Sequence, residues 1–365
     1  MIPAKPQDFT VDWLQSALAA RLAESNAYVK DVRAVYHETP GQTADTILLT
    51  LEYNGDTRLP DRMFGKVNTR NADTLDIVKS MDLYRREVAF YNQVEDVGLP
   101  VPECYYGSFD PENYQFVLLL EDLSDGICPS WGISEAQARD AIALLPSFHA
   151  RWWNSSEARR FDWAIQLDEA VYWNNWRADT PVNLERAIAK LGPALTDDFI
   201  ATVRLALDKW EALLAYLATR PFALVHGDYH FKQIFFPTAE GAGRLAVFDW
   251  QFPYVAPGPW DLARVMGATL SSQTRRSLQP EILAGYLNGL ARCGVAGYDM
   301  DGLHEDLATG SLINLLIHTN AFGATDLSIL EREAASYGAD MRQVLIDQMV
   351  DLAADFDTAG LLRGL

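Results

Sequence analysis

The spacing of apolar residues changes along the chain, from a helical period to strands and back to helices. Residues 10–24 place Leu14, Leu18 and Leu22 on one face, and Thr10 can cap the segment, which predicts a helix. Short runs rich in β-branched and aromatic residues follow, and such runs predict strands. These strands are expected at 28–36, 46–53, 62–67, 104–109 and 114–120.

The remainder of the chain is dominated by the helical period. One long helix is expected over 74–97, and Ser134 begins another because Ser134-Glu135-Ala136-Gln137 matches a capping box. Helices are predicted at 134–153, 168–191, 195–219, 260–270, 277–293, 301–322 and 328–358. Three short strands are expected among them, at about 222–226, 234–236 and 244–249, the last pairing back through a glycine-rich turn.

This pattern predicts an α+β fold of two domains. Residues 1–122 are expected to form a small antiparallel sheet with one long helix. Residues 123–365 are expected to form a mainly helical domain, with the boundary in the polar connector after Glu121.

Composition narrows the classes of function. The net charge of −20 excludes a nucleic-acid partner, because phosphate binding needs clustered Lys and Arg. The acidic balance suits a cationic or neutral small substrate, or simply a well-solvated surface. Isolated Cys104, Cys128 and Cys293 predict free thiols. No signal peptide or membrane span is recognisable, so a cytoplasmic protein without a membrane partner is expected, of unpredicted oligomeric state.

The sharpest chemical signal is an acidic pattern at the predicted strand ends. One apolar run leads into His226-Gly227-Asp228, Gln233 follows five residues later, and a second run leads into Asp249. His-Gly-Asp alone could be only a turn, but the whole pattern matches the template of phosphoryl transfer. In that template Asp228 accepts the proton of the attacking hydroxyl, and oxygen atoms of Gln233 and Asp249 hold Mg²⁺.

The same segment resembles the aminoglycoside phosphotransferase and choline kinase superfamily. That superfamily has a His-Gly-Asp-x-His-x-x-Asn motif followed by Ile-Asp-Trp or Ile-Asp-Phe. Asp-Trp-Gln at 249–251 and His-Ala-Arg-Trp-Trp at 149–153 are similar to its ecdysteroid-kinase-like branch. The resemblance implies a bilobal protein-kinase-like fold, ATP and Mg²⁺ as cofactors, and a hydroxyl-bearing small molecule as phosphoryl acceptor.

The resemblance also implies roles for single residues. Asp228 would be the catalytic base, Asp249 the metal-binding acid, and Asp261 a brace for the catalytic loop. His230 matches the motif, and its role is either catalytic or structural. Gln233 departs from the Asn of the superfamily, and its extra methylene puts metal affinity and turnover in question.

The predicted nucleotide contacts lie in the first domain. Lys66 on the third strand and Glu87 on the next helix follow the order in which kinases place a phosphate-binding Lys and its Glu. A phosphate loop is expected at 39–45, where Thr43 can donate. The adenine is expected against the connector that contains Glu121 and Leu123.

Two other functions remain open from the sequence. A nucleotide-binding pseudokinase with little or no turnover is favoured by Gln233 and by the single glycine of the 39–45 loop. A metallohydrolase would use His226, Asp228 and His230 as ligands, since alternate residues of an extended segment point to one side. The aromatic residues at 152–176 could form a cage for an ammonium group, although packing in the core is the commoner role.

Overall fold

The chain divides into two compact units, each with its own core. The computed structural model describes residues 1–38, 41 and 43–365, apart from the side chains of residues 73 and 329. The first compact unit, here called the sheet unit, comprises Met1–Asp96, Pro100–Ile127 and Pro237–Gln251. The second, called the helical unit, comprises Val97–Leu99, Cys128–Phe236 and Phe252–Leu365.

This division differs from the predicted boundary after residue 122. The connector stays with the sheet unit to Ile127, and the segment Pro237–Gln251 returns to that unit. Two contacts hold the returning segment: Val247 donates its backbone N–H to Pro100 O at 2.8 Å, and Arg244 Nε donates to Glu121 Oε1 at 2.9 Å. Sequence spacing gave no sign of such a return.

The sheet unit is built on one antiparallel sheet of five strands, as predicted. The strands are β1 (Tyr28–Tyr36), β2 (Ala44–Asn54), β3 (Arg62–Asn68), β4 (Cys104–Asp110) and β5 (Gln115–Glu121). Their order across the sheet is β1-β2-β3-β5-β4, and every neighbouring pair is antiparallel. Alternate residues of β2 point to one face, so Ile47, Leu49 and Leu51 are all buried.

Two short helices near the amino terminus cover that buried face. They are α1 (Val11–Ala17), which Thr10 caps by accepting from Trp13 N, and α2 (Ala19–Leu22). Leu14, Leu18 and Leu22 pack against the apolar residues of β2 in one core cluster. The helix expected at 10–24 is therefore present, with a break at Leu18.

The single helix expected over 74–97 is wrong in detail, because two helices occupy that segment. They are α3 (Ala72–Ser80) and α4 (Leu83–Gln93). Asp82 between them has φ +57°, a left-handed conformation that no continuous α-helix contains. Val78 of α3 and Val88 of α4, two positions of the apolar pattern, are both buried, so the pattern continues across the break.

The helical unit contains ten α-helices among its described residues. In chain order they are α5 (Glu135–Arg151), α6 (Ala170–Leu191), α7 (Asp197–Asp208), α8 (Trp210–Leu217), α9 (Pro259–Thr269), α10 (Ser272–Arg292), α11 (Met300–Ala324), α12 (Leu327–Ser336), α13 (Gln348–Asp355) and α14 (Thr358–Gly364). The capping box of Ser134 and Gln137 is formed. The helix expected at 195–219 divides into α7 and α8. The helix expected at 328–358 is interrupted after α12, where Gly338 has φ +69°.

Short strands flank the residues of the His-Gly-Asp motif. They are β6 (Ile165–Gln166), β7 (Ala223–Val225), β8 (Ile234–Phe235), then β9 (Ala246–Val247) in the returning segment, and β10 (Tyr254–Ala256). In the helical unit β10 lies between β6, to which it is parallel, and β7, to which it is antiparallel. The sequence predicted β7, β8 and β9, but β6 and β10 were not expected because such short pairs have no periodic signal.

No helix in the described part of the chain has both the length and the apolar character needed to cross a membrane.

Candidate active site

Lys66 on β3 lies between two carboxylates of the sheet unit. Its Nζ is 2.7 Å from Glu87 Oε2 and 2.7 Å from Asp249 Oδ1. Glu87 belongs to α4 and is completely buried. Burial by itself would lower the pKa of Lys66, but the two carboxylates outweigh it and raise that pKa. Burial raises the pKa of Glu87, against the opposing effect of Lys66. We call Lys66, Glu87, Asp249 and Gln251 the Lys66 cluster.

The backbone turn at Asp249 presents its carboxylate to Lys66. Asp249 has φ +65°, a conformation that Asp tolerates better than bulkier residues. The next residue fixes the turn, because the Trp250 ring stacks on Phe90 of α4 with centroids 3.9 Å apart. Gln251 then donates its Nε2 to Glu87 Oε2 at 3.3 Å. Phe90 and Glu87, three residues apart on α4, thus hold the Asp249 turn.

The other predicted nucleotide contacts have partners inside the sheet unit. Thr43 Oγ1 donates to Gln251 Oε1 at 2.7 Å, so this hydroxyl joins the Lys66 cluster. Residues 39, 40 and 42 of the predicted phosphate loop lie outside the described residues. Glu121 Oε2 accepts from the backbone N–H of Glu103 at 3.1 Å, and Leu123 is buried with 8% exposure. Adenine binding by this connector stays a prediction.

The His-Gly-Asp turn is held by Asp261, which lies in the first turn of α9. Asp261 Oδ2 accepts from the backbone N–H of His226 at 2.8 Å, and its Oδ1 accepts from that of Gly227 at 2.9 Å. Asp261 is completely buried. Its Oδ2 also lies 3.4 Å from His149 Nε2, and His149 Nδ1 lies 2.8 Å from the Tyr286 hydroxyl. The geometry agrees with the brace implied for Asp261, and His149 is an interior residue with two partners.

The carboxylate of Asp228 is surrounded by four donors of the helical unit. Oδ1 accepts from Arg264 Nε at 3.0 Å and from Arg264 Nη2 at 2.8 Å. Oδ2 accepts from Gln233 Nε2 at 3.1 Å and lies 3.3 Å from His230 Nε2. Burial would raise the pKa of Asp228, but His230 and Arg264 hold it far below its ordinary value. The carboxylate is therefore ionised at neutral pH.

The hydrogen bonds of His230 assign its protons. Its Nδ1 accepts from the backbone N–H of Lys232 at 3.3 Å, so in the neutral ring the proton is on Nε2, which faces Asp228. Burial lowers the pKa of His230, with Asp228 opposing the effect. His230 is thus a donor to the carboxylate, which fits the structural role considered for it.

Arg264 in turn contacts a buried histidine. Its Nη1 lies 3.4 Å from Nε2 of His318 on α11. Burial, with Arg264 alongside, lowers the pKa of His318 to about 3. We call Asp228, His230, Gln233, Arg264 and His318 the Asp228 cluster.

The structure brings most of the predicted site residues together within each unit. Lys66, Glu87 and Asp249 meet in the sheet unit. Asp228, His230 and Gln233 meet in the helical unit. Gln233 and Asp249 belong to different units, so a metal ion shared by these two residues stays a prediction.

Arg264 and His318 were missed by the sequence reasoning. Arg264 lies three residues after Asp261, and this i, i+3 spacing places the two side chains on one face of α9. That spacing was the available signal. For His318, 54 residues further along the chain than Arg264, no sequence pattern pointed to the site.

The geometry gives no support to the metallohydrolase interpretation. In the described part of the chain no three His, Cys, Asp or Glu side chains are grouped to hold a metal ion. The Nδ1 atoms of both proposed histidine ligands accept backbone N–H groups of their own turn, from Asp228 for His226 and from Lys232 for His230. In a neutral ring that accepts at Nδ1 the proton is on Nε2, so neither nitrogen of these histidines offers a lone pair to a metal ion.

The large aromatic side chains pack in the interior of the helical unit. Trp152, Trp163 and Trp173 are at most 1% exposed. The Trp173 indole donates to Gln166 O at 2.9 Å, and the Tyr172 hydroxyl lies 2.6 Å from that of Tyr254. Trp152, Trp163 and Trp173 are therefore part of the core, as the commoner interpretation held.

Comparison with known proteins gives one family match. The model of the phosphotransferase enzyme family matches residues 76–298. No curated protein matches the chain. Among solved structures, the chain is similar to a spectinomycin phosphotransferase in complex with ADP and spectinomycin, with 14% identity over 94% of this chain and 98% of that chain and a TM-score of 0.47.

Two further solved structures show a similar degree of likeness. One is a streptomycin–ATP ternary complex of an aminoglycoside phosphotransferase, with 13% identity over 94% of this chain and 99% of that chain and a TM-score of 0.48. The other is a microcompartment-associated aminopropanol kinase, with 11% identity over 89% of this chain and 91% of that chain and a TM-score of 0.44.

The family match confirms the predicted resemblance to phosphotransferases, and with the antiparallel sheet and helical unit it confirms the α+β kinase-like fold class. The narrower likeness to the ecdysteroid-kinase-like branch stays a prediction. Since the family model covers well over half of the 365 residues and includes Glu87, Asp228, Asp249 and Asp261, this chain belongs to the phosphotransferase enzyme family.

Proposed function

We propose that this protein transfers the γ-phosphoryl group of ATP to a hydroxyl group of a small molecule. The observation that carries the proposal is Asp228: a part-buried carboxylate, ionised by its neighbours, at the turn where the family places its catalytic motif. Phosphoryl transfer needs such a group beside the attacking hydroxyl.

The chemistry asks Asp228 to orient the hydroxyl and to receive its proton. As the hydroxyl oxygen forms its bond to phosphorus, the bond between the γ-phosphorus and the bridging oxygen breaks, ADP leaves, and the proton passes to the carboxylate. A carboxylate with a strongly lowered pKa is a weak base before the transfer. It gains the proton late, which suits a loose transition state in which the attacking oxygen becomes acidic only as the new bond forms.

The Lys66 cluster fits the phosphates of the nucleotide. The Lys66 ammonium is charged and held in place by Glu87, as required of a group that contacts the α- and β-phosphates. The family resemblance assigns Asp249 and Gln233 to the metal, and both offer the oxygen atoms that Mg²⁺ prefers. Asp249 offers a carboxylate, and Gln233 offers its carbonyl oxygen because its amide nitrogen is turned to Asp228. Bound Mg²⁺ would neutralise phosphate charge.

The acceptor is proposed only as a hydroxyl-bearing small molecule. The acidic net charge of −20 favours a cationic or neutral compound, and amino alcohols, aminoglycosides and steroid-type alcohols all fall within that class. The buried tryptophans give no support to an aromatic cage for an ammonium group.

The test is a screen for a gain of one phosphate. The protein would be incubated with ATP, Mg²⁺ and mixed metabolites bearing hydroxyl groups, and the products identified by mass spectrometry. Asp228→Asn keeps the shape of the side chain and should lower the rate by at least about 100-fold. Undiminished ADP release by Asp228→Asn in the presence of the acceptor would show that the base is wrongly assigned.

A second candidate function is nucleotide binding without turnover. The observation in its favour is the Asp228 carboxylate, because both of its oxygens already have two donors each. A thermal shift with ATP but no phosphorylated product from any hydroxyl compound would support it. A single phosphorylated product would contradict it.

A further inference from the structure

The two oxygens of Asp228 are held by different parts of the helical unit. Oδ1 accepts both of its hydrogen bonds from Arg264, a residue of α9 that lies 36 residues further along the chain. The donors at Oδ2 are Gln233 and His230, which belong to the same turn as Asp228 itself. One oxygen is thus fixed from outside the catalytic motif, and the other is contacted from within it.

Arg264 is itself fixed by a second buried residue. His318 Nδ1 lies 2.7 Å from Asn314 O, and a carbonyl can only accept, so the Nδ1 atom carries a proton. The other ring nitrogen of neutral His318 is then an acceptor, and it faces Arg264 Nη1 at 3.4 Å. Arg264 and His318 are only 8% and 4% exposed. The guanidinium therefore has a set orientation before any substrate arrives.

The distance between these two residues depends on how closely α9 and α11 approach. Every residue of α9 is buried. A Cβ added to Gly310 of α11 would lie 2.9 Å from Ala263 Cβ and 3.0 Å from Trp260 Cα, so the backbones meet where only glycine fits. The contact that orients Arg264 is thus set by helix packing outside the catalytic turn.

We propose that Arg264, steadied by His318, is a positioning residue that anchors Oδ1 of Asp228 and thereby presents Oδ2 to the acceptor hydroxyl. This rests on the proposed function. A guanidinium suits the task because its planar fork gives two parallel donors, which fix the plane of a carboxylate as a single ammonium cannot. The acceptor hydroxyl then takes the place of one of the two donors at Oδ2.

The matched control is another arginine–aspartate pair of the same unit. Arg220 Nε donates to Asp306 Oδ1 at 2.6 Å, and Asp306 is completely buried. Its role is structural, because the other oxygen of Asp306 accepts from the Tyr298 hydroxyl at 2.7 Å. Arg220→Ala therefore removes an arginine of similar burial without touching the Asp228 cluster.

The first measurement needs no substrate. In protein labelled with ¹⁵N-glutamine, the side-chain amide of Gln233 reports on Asp228 Oδ2, to which it donates. Arg264→Ala frees the carboxylate to rotate and should shift this resonance, and 50 mM guanidinium chloride should move it back by filling the vacated space. Arg220→Ala should leave it in place. An unmoved Gln233 resonance in Arg264→Ala overturns the proposal.

The second measurement is kinetic. Arg264→Ala should lower kcat by about 100-fold, with KM for ATP changed by less than about twofold, because the base is misplaced while the nucleotide contacts remain. Guanidinium should restore at least a tenth of the lost rate. The kcat of Arg264→Lys should lie between those of the wild type and Arg264→Ala. A kcat unchanged in Arg264→Ala, or lost equally in Arg220→Ala, contradicts a positioning role.

Variants of His318 provide the same comparison if Arg264→Ala does not fold. The amide oxygen of His318→Gln can replace Nε2 as an acceptor, whereas His318→Leu has none. The Gln variant should retain kcat and the Leu variant should lose about tenfold. Equal rates in the two would count against the proposal. Absence of any phosphorylated product from the wild-type chain would instead count against the proposed function, because the Gln233 resonance tests the geometry separately.

Discussion

Gln233 donates its side-chain Nε2 to Oδ2 of Asp228 at 3.1 Å, so the residue that departs from the family motif is bonded to the proposed base. The bond orients the amide, with nitrogen towards Asp228 and the carbonyl oxygen at the opposite side of the group. An Asn at this position would be shorter by one methylene, about 1.5 Å. The extra length of Gln233 therefore lets one side chain reach the base and still offer an oxygen.

Gln233→Asn should change turnover rather than folding. The shorter side chain withdraws from Oδ2, leaving that oxygen free for the acceptor hydroxyl, so kcat should rise by about tenfold, the value of one hydrogen bond to a charged group. Initial rates measured over a range of Mg²⁺ concentrations would show this. Gln233→Ala, which lacks an amide oxygen, should need more Mg²⁺ for half-maximal rate. A slower Gln233→Asn would show that the contact with Asp228 assists the reaction.

Lys66→Met should destabilise the sheet unit as well as weaken ATP binding. The change leaves the buried Glu87 carboxylate without its cation, at a cost of about 3 kcal/mol in the free energy of unfolding. Urea denaturation measures this. The double variant Lys66→Met, Glu87→Gln should recover part of the loss, because no buried charge is then unpaired. An equal decrease in the free energy of unfolding in the single and double variants would contradict the pairing of Lys66 with Glu87.

The buried His318 should make stability depend on pH. Its pKa is about 3 in the folded chain and 6.5 is the ordinary value, so the unfolded chain binds the extra proton between these limits. Stability due to this group is complete above pH 6.5 and declines as the pH falls, by up to about 1.4 kcal/mol per pH unit. Denaturation of wild type and His318→Gln at pH 7, 6 and 5 should show a shallower slope for the variant. Parallel slopes would contradict the shift.

Gly227→Ala should disrupt the His-Gly-Asp turn. Gly227 has φ +79°, and a Cβ there would lie 2.0 Å from Phe252 O. Backbone strain and steric collision should together lower the free energy of unfolding by about 3 kcal/mol or more. Gly241→Ala is the control, because Gly241 has φ +83° and a Cβ there would have no neighbour within 4 Å. This variant should lower the free energy of unfolding by only about 1 kcal/mol. Thermal unfolding would separate the two effects, and similar losses would show that the crowding at Gly227 is overestimated.

The parts of the fold that the sequence predicted are those with a strong local period. The strand over Tyr28–Tyr36 has the expected bounds because alternating burial leaves a clear pattern. The break at Asp82 was not predicted, because the apolar positions of α3 and α4 continue one series across it. The strand β10 was not predicted either, since three residues are too few to show a period.

The site follows the same rule. Lys66 and Glu87 were paired correctly from element order, because strand and helix are neighbours in the chain. Arg264 was overlooked because it lies outside the family motifs, although its i, i+3 spacing from Asp261 places both side chains on one face of α9. The contact between Arg264 and His318 depends on the packing of two helices, and that information is spread over many residues.

The His-Gly-Asp turn depends on Asp261, which is synthesised after it. The backbone N–H groups of His226 and Gly227 find their acceptor 35 and 34 residues further along the chain. During synthesis the whole motif leaves the ribosome well before that carboxylate does. A nascent chain ending before α9 carries every residue of the motif but lacks the acceptor of these two N–H groups, so the turn is completed only after that helix has docked.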